Sequence, residues 1–287
     1  MLATKAKIPA WEPLKGPQTD ALESLADIVF YGGAAGGGKT DLLLGAALRH
    51  KRTIIFRREF TQLSAIIDRG LEIFAKYGTF NAQKYFWRLT GRRKVELGSC
   101  QHVGDEQKYQ GQAHDLKEFD ELGHFTESQF RTIIGWLRSS DPKQRCRVIA
   151  TGNPPLNPEE EWIIQFFAPW LDPEHSKPAR PGELRYYAMI EGVETEVADG
   201  TEFEHTDAKT GKKYNIRPLS RTFIPASVTD NPFYMESGYM SQLASLPEPL
   251  RSKLLYGDFT AGKEANPWQV IPSAWVKLAQ DRWKKRV

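Results

Sequence analysis

Cysteine is scarce in this chain. Only Cys100 and Cys146 occur among 287 residues, and they do not fall at metal-binding spacing. That excludes a disulfide scaffold and a cysteine-built zinc site, and it points to a reducing compartment. Long hydrophobic runs are missing as well. No stretch approaches the ~18 continuous apolar residues of a membrane span. The opening residues, MLATKAKIPAWEPLKG, lack the apolar run of a secretion signal. Charge is nearly balanced, and a net +3 is too small to announce nucleic-acid binding by itself. Internal repeats and low-complexity tracts are also lacking. What is present is an ordinary globular composition, 40% hydrophobic and 26% charged, long enough to bury a real core in one large domain or two modest ones. The expectation is a cytoplasmic protein with no membrane partner.

Short apolar runs alternate with helical spacing through the first half. Residues 27–31, Asp-Ile-Val-Phe-Tyr, predict a buried strand stopped by glycines. A helix is expected from Gly38 onward, a strand over 53–56 and a helical stretch over about 60–77. Residues 84–104 alternate around Thr90-Gly91 and predict a hairpin. Residues 114–120 read as a polar strand. Residues 126–138 begin with a capping box, Thr126 to Gln129, and continue as a helix. Residues 146–151 predict a further strand. This alternation implies an α/β fold with a central, mainly parallel sheet covered by helices on both faces. After Asn153, seven prolines between 154 and 181 break the chain into loops. Residues 193–216 are polar, with turn signals at Asp199-Gly200 and Thr210-Gly211, and read as an exposed hairpin or lid-like excursion. The expected division is a core over 1–172, a small lid-like subdomain over 173–260 and a linker over 261–287.

The most specific local signal is Gly33-Ala34-Ala35-Gly36-Gly37-Gly38-Lys39-Thr40, which matches G-x4-G-K-[ST] in full. A strand before it and a helix after it supply the required context. Glycines let backbone N–H groups turn inward and approach phosphates closely. The helix beginning near Gly38 aims its positive dipole end at the same anion. Lys39 is expected to reach the β- and γ-phosphates of ATP, and the Thr40 hydroxyl to ligate Mg2+.

A phosphate-transferring site of this type needs a carboxylate near the metal and another to activate water. Asp120-Glu121 closes the strand at 114–119, so Asp120 is expected near magnesium and Glu121 as the general base. A competing pair, Asp105-Glu106, follows Gly104 and reads more like a turn. Thr151-Gly152-Asn153 ends the next strand. Asn153 there can contact the γ-phosphate or its water, and Gly-Asn-Pro is also good turn chemistry.

Taken in order, these residues resemble the large terminase subunit of tailed bacteriophages. Pro17-Gln18 looks like the family's adenine-contacting glutamine, Lys108-Tyr-Gln-Gly111 with Phe119-Asp-Glu-Leu122 like its acidic-pair region, and Thr151-Gly-Asn-Pro154 like its coupling motif. Arg221-Thr-Phe-Ile-Pro-Ala-Ser227, Asp230-Asn-Pro-Phe233, Leu254-Leu-Tyr-Gly-Asp-Phe259 and Val270-Ile-Pro272 are similar to later family segments. The resemblance implies an ATPase that drives double-stranded viral DNA into a procapsid in the host cytoplasm. It further implies a portal protein, a small terminase subunit and a homo-oligomeric ring as partners. In that family a nuclease follows the ATPase. The chain ends about where that domain would begin, so cutting activity is not expected of it.

Some relatives carry a cis arginine inside the P-loop, where this chain has Ala34 and Ala35, or one at the position of Gln110. Arg57, Arg58 and Arg138 are the candidates for an arginine finger. For DNA, Lys84, Arg88, Arg92, Arg93 and Lys94 interleave with Tyr85, Phe86 and Trp87 in the expected hairpin. Such a surface can hold a phosphodiester backbone, or it can be the solvated face of an amphipathic strand pair. Two other readings remain open: another P-loop nucleic-acid motor such as a helicase, and a docking module that binds ATP with negligible turnover.

Overall fold

The computed structural model describes residues 11–262 and, beyond them, only positions 275, 279, 282 and 283. Nearly all of the expected linker at 261–287, including Val270-Ile-Pro272 and most of the basic tail, lies outside the described residues.

Strands and helices alternate along the first half. They are α1 (Pro17–Glu23), β1 (Ile28–Gly33), α2 (Lys39–Ala47), β2 (Arg52–Arg57), α3 (Ser64–Phe74), β3 (Gly78–Asn81), β4 (Phe86–Leu89), β5 (Arg93–Ser99), β6 (Leu116–Phe119), α4 (Glu127–Ile134) and β7 (Arg147–Gly152). The second half adds α5 (Trp162–Phe166), α6 (Ala168–Leu171), β8 (Arg185–Ile190), β9 (Val193–Val197), β10 (Phe203–Thr206), β11 (Lys213–Ile216), β12 (Leu219–Ala226), α7 (Pro232–Met235), α8 (Tyr239–Ala244) and α9 (Leu250–Tyr256).

Ten strands form one sheet in the order β3-β4-β5-β2-β6-β7-β1-β12-β8-β9. The six central strands, β5 to β12, pair in parallel, and the two at each edge pair antiparallel. The parallel centre is fully covered, as its apolar runs require. Alternate side chains of each strand point to opposite faces. Val29, Tyr31, Ile55 and Ile149 pack with α1, α2 and α3, while Phe30, Phe56, Phe119 and Ala150 pack with α4, α5 and α6. The expected α/β fold with a mainly parallel sheet is therefore the observed one. The capping box of α4 is present, with the Thr126 hydroxyl accepting from Gln129 N at 3.2 Å.

The segment 173–260 contributes to the core sheet, because β12 lies beside β1 and β8 and β9 extend the sheet from it. Residue composition does not announce this. β12 carries Arg221, Thr222 and Pro225, yet Thr222 is fully buried and the Arg221 side chain is held by Glu194 and by the Phe166 carbonyl. Only β10 and β11 form the separate exposed hairpin that the polar stretch predicted.

β6 is the polar strand expected over 114–120, and although it carries Lys117 and Glu118 all four of its residues are buried. Lys117 Nζ donates to the Ile133 carbonyl at 2.5 Å. Glu118 has no hydrogen-bond partner for either oxygen among the described residues, and burial pushes its carboxyl well above the usual range. A neutral acid is far cheaper to bury than a carboxylate.

Candidate active site

Because the central strands are parallel, their carboxyl ends fall on one edge of the sheet, where ligands of open α/β folds bind. The register aligns Phe56 with Phe119, Phe119 with Ala150, and Gly32 with Gly152. Arg57, Asp120, Asn153 and the glycine-rich loop after β1 therefore stand side by side at that edge. One cavity of about 890 Å³ opens there, and its lining includes Gln18, residues 35–41, Asp120, Glu121 and Asn153.

The loop is held from all sides. Gly33 has φ +127°, and a side-chain carbon there would lie 2.9 Å from the Ala226 carbonyl, so only glycine fits. Ala34 N donates to Ala226 O and Ala35 N to Leu254 O, both at 2.8 Å. The Tyr31 hydroxyl donates to Gly37 O and Asn231 Nδ2 to Gly36 O, also at 2.8 Å. Gln18 is buried; its Oε1 accepts from Leu14 N at 2.6 Å, and its Nε2 donates to Gly38 O at 2.8 Å. Gly33 and Ala34 thus shape the loop from beneath, while residues 35–40 face the cavity. With the Ala34 and Ala35 amides engaged elsewhere, the later amides at the start of α2 are left to meet an anion.

Lys39 is almost fully buried. Its Nζ donates to the Ala34 carbonyl and, at 2.9 Å, to Asn153 Oδ1. Burial pushes its ammonium down to about 8, against the opposing pull of Glu121 and Asp120. Asn153 Nδ2 reaches Glu121 Oε2 at 3.5 Å. Burial, and then the adjacent Asp120, raise the Glu121 carboxyl above its ordinary range. Glu121 also has a left-handed backbone, φ 57°, which a non-glycine residue adopts at a cost of roughly 1–2 kcal/mol. Such strain concentrates at functional sites.

Asp120 is buried and polarised at both oxygens. Oδ1 accepts from the Thr151 hydroxyl at 2.9 Å. Oδ2 accepts from Arg57 Nε at 2.9 Å, pairs with Arg57 Nη2 at 2.7 Å and lies 3.4 Å from the Thr40 hydroxyl. A hydroxyl and a carboxylate oxygen converging in this way suit magnesium, which takes few protein ligands and completes its shell with phosphate oxygens and water. No group of three or more His, Cys, Asp or Glu side chains placed to hold a metal occurs among the described residues.

The competing pair lies elsewhere. Asp105 accepts from His102 N and pairs with Lys108, and Glu106 accepts from Gly104 N, so both serve a local turn. Of the three candidate arginines, only Arg57 contacts a site residue. Arg58 donates to Gln129 Oε1, and Arg138 donates to Gly111 O and lies over the Trp136 ring.

Several cavity residues were missed by sequence reasoning. Arg69 forms a two-pronged pair with Asp41, and no local pattern marked either one. Asn231 lay inside Asp230-Asn-Pro-Phe233 but carried no role of its own. Trp11, Phe233, Tyr234 and Tyr239 also line the cavity.

No family model matches the chain, and no curated protein matches it. Solved structures do share its fold. A structure of the large terminase from a thermophilic bacteriophage is 12% identical, with a TM-score of 0.51 over 86% of this chain and 53% of that one. The same terminase in complex with ATP-gamma-S gives 11% identity and a TM-score of 0.55, again over 86% of this chain and 53% of that one. In complex with ADP it gives 12% identity and a TM-score of 0.52 over 86% and 54%. The chain spans about half the length of these structures. Among the described residues no helix is long and apolar enough to cross a membrane.

Proposed function

We propose that this chain binds ATP at the carboxyl edge of its sheet, hydrolyses it with magnesium, and uses the cycle to move double-stranded viral DNA into a procapsid. One observation carries the hydrolase reading. Lys39, Thr40, Asp120, Glu121 and Asn153 come from three separate chain segments and converge on a single cavity behind a braced glycine-rich loop.

In this reading the amides at the start of α2 and the Lys39 ammonium hold the β- and γ-phosphates. Thr40 and Asp120 are the protein groups for magnesium, which when bound neutralises the developing phosphate charge. Glu121 accepts a proton from the attacking water, and burial, by raising its carboxyl, makes it a stronger base than an exposed glutamate. Asn153 bonds Lys39 and sits beside Glu121, so its amide registers both the phosphate-binding and the water-activating group. Arg57, already against Asp120, is the one of the three candidate arginines that could turn toward the transferred phosphate. Most of the rate then comes from positioning and charge.

The DNA-packaging half of the reading draws on the fold shared with the terminase structures and on the ordered motif series. With it come double-stranded DNA, a portal protein and a small terminase subunit as partners, assembly as a homo-oligomeric ring, and work in the host cytoplasm. Equilibrium ATP binding tests the cradle. Lys39→Ala is expected to abolish tight binding, and Glu121→Gln to keep it. Retained micromolar affinity in Lys39→Ala contradicts the assignment. ATP-dependent protection of DNA from nuclease by portal-bearing procapsids tests the packaging role, which fails if the chain turns over ATP yet drives no DNA uptake.

A further inference from the structure

Past the phosphate loop the cavity continues between apolar walls that the reading above leaves without a ligand. On one side, Trp11 lies across Gly45 of α2, where a side-chain carbon would overlap the indole. Leu14 lies 3.7 Å from where such a carbon would sit at Gly38. On the other side are Phe233 and Tyr234 of α7 and Tyr239 of α8. Phe233 is 77% exposed although it lines a cavity, and it stacks on no other ring among the described residues. Tyr234 and Tyr239 pair with centroids 5.1 Å apart.

This shelf is tied directly to the phosphate loop. Asn231 donates to Gly36 O at 2.8 Å and caps α7 by accepting from Phe233 N at 3.2 Å. The Tyr239 ring comes within 3.2 Å of a side-chain carbon built at Gly36. A phosphate chain held by the loop would therefore carry its nucleoside end into the space these side chains border. Gln18, which the resemblance made the adenine reader, has its carbonyl taken by Leu14 N and an N–H given to Gly38 O. It braces the loop, and little of its amide is left to read a base edge.

We propose that Phe233 is the stacking platform of a nucleobase subsite, enclosed by Trp11 and Leu14, and that the subsite accepts purine nucleotides by ring contact and not by edge recognition. The inference rests on the nucleotide reading of the phosphate loop. Aromatic stacking is tolerant of base identity because every base has a π-face. A small ligand is the occupant because the surface is continuous with the cradle inside one cavity of about 890 Å³, within the range of small-molecule pockets.

Equilibrium binding of ATP, GTP and inorganic tripolyphosphate to the full chain separates the possibilities. In the parent, GTP is expected to bind within about fivefold of ATP. Phe233→Ala is expected to weaken both by roughly tenfold while leaving tripolyphosphate unchanged, and Phe233→Trp to restore the loss. Because Phe233 is exposed, an unchanged melting temperature is expected in both variants. ATP and GTP affinities unaffected by Phe233→Ala, or a hundredfold preference for ATP over GTP, would overturn the subsite. If tripolyphosphate itself fails to bind the parent, the phosphate cradle is wrong, and the subsite falls with it.

Discussion

Lys39 holds a charge where charge is expensive. Burial brings its ammonium down to about 8 from the usual 10.5, despite two nearby carboxylates. The group therefore loses its proton as pH rises through about 8, well before an ordinary lysine does. Nucleotide binding needs the protonated form. ATP affinity is expected to be flat below pH 8 and to fall above it, by up to about tenfold per pH unit, with Kd against pH from 6.5 to 9.5 as the measurement. A flat curve across that range would mean that the ammonium contributes nothing to binding. Arg57 makes a second residue-scale case. It pairs with the Asp120 oxygen that faces Thr40. Arg57→Ala is expected to keep ATP binding and to lower turnover by about 10³-fold, the low end of what an arginine finger contributes. Single-site kinetics with the variant measure this, and near-parental turnover would return the role to another subunit or residue.

Elements meet this site through contacts that composition does not reveal. α9 ends at Gly257, φ +70°, where a side-chain carbon would press within 2.6 Å of Ala34 N. Leu254 of the same helix receives the Ala35 amide, and Lys253 Nζ donates to the Pro155 carbonyl at 2.6 Å. One short helix thus touches both the phosphate loop and the segment after Asn153. The glycine-rich loop, the strand before it and the helix after it were legible because their signals are local: glycines, an apolar run and the Lys-Thr pair. The partners that brace the loop were not legible, because they lie up to about two hundred residues away (Asn231, Leu254) and take ordinary residue types. β9, inside the polar stretch 193–216, shows the same: its Glu194 accepts from Arg131 of α4 and from Arg221 of β12 and joins the three elements. Burial pushes that carboxyl up, but the two arginines outweigh it and hold it at about 2, below the ordinary 4.5. A depressed carboxyl stabilises the fold fully above its unfolded value, and that stability is lost as pH falls from about 4.5 toward 2. Glu194→Gln is expected to cost about 3 kcal/mol at neutral pH, since Arg221 is left buried beside a neutral partner. Its melting temperature should also lose part of the parent's decline in acid. Parallel acid limbs in the two proteins would show that this cluster does not carry the effect.

At the scale of the whole molecule, the parallel centre of the sheet was readable from the alternation of apolar runs and helices, whereas its extent was not. β12 completes the core from the far half of the chain, and only its register with β1 explains why Arg221-Thr-Phe-Ile-Pro-Ala reads as a buried strand. The hairpin of β4 and β5 lies toward the opposite edge, and its burial pattern is that of an amphipathic strand pair. Phe86 and Trp87 are buried and Lys94 pairs with Glu96, while Lys84, Arg88 and Arg92 are exposed. If that edge grips the duplex, replacing these three with alanine should weaken DNA binding about equally for all sequences and flatten its salt dependence, as loss of phosphate contacts does. Binding titrations on two unrelated duplexes at several salt concentrations decide it, and an unchanged salt slope would make the hairpin an ordinary solvated face.

The central claim is that an acid–base site at the carboxyl edge of the sheet turns over ATP. Steady-state phosphate release from the full chain with Mg-ATP, beside Glu121→Gln at saturating nucleotide, tests it most directly. The account predicts turnover in the parent and a loss of at least about a hundredfold in the variant, as for removal of a general base, with ATP binding intact. Equal release from both proteins would contradict it.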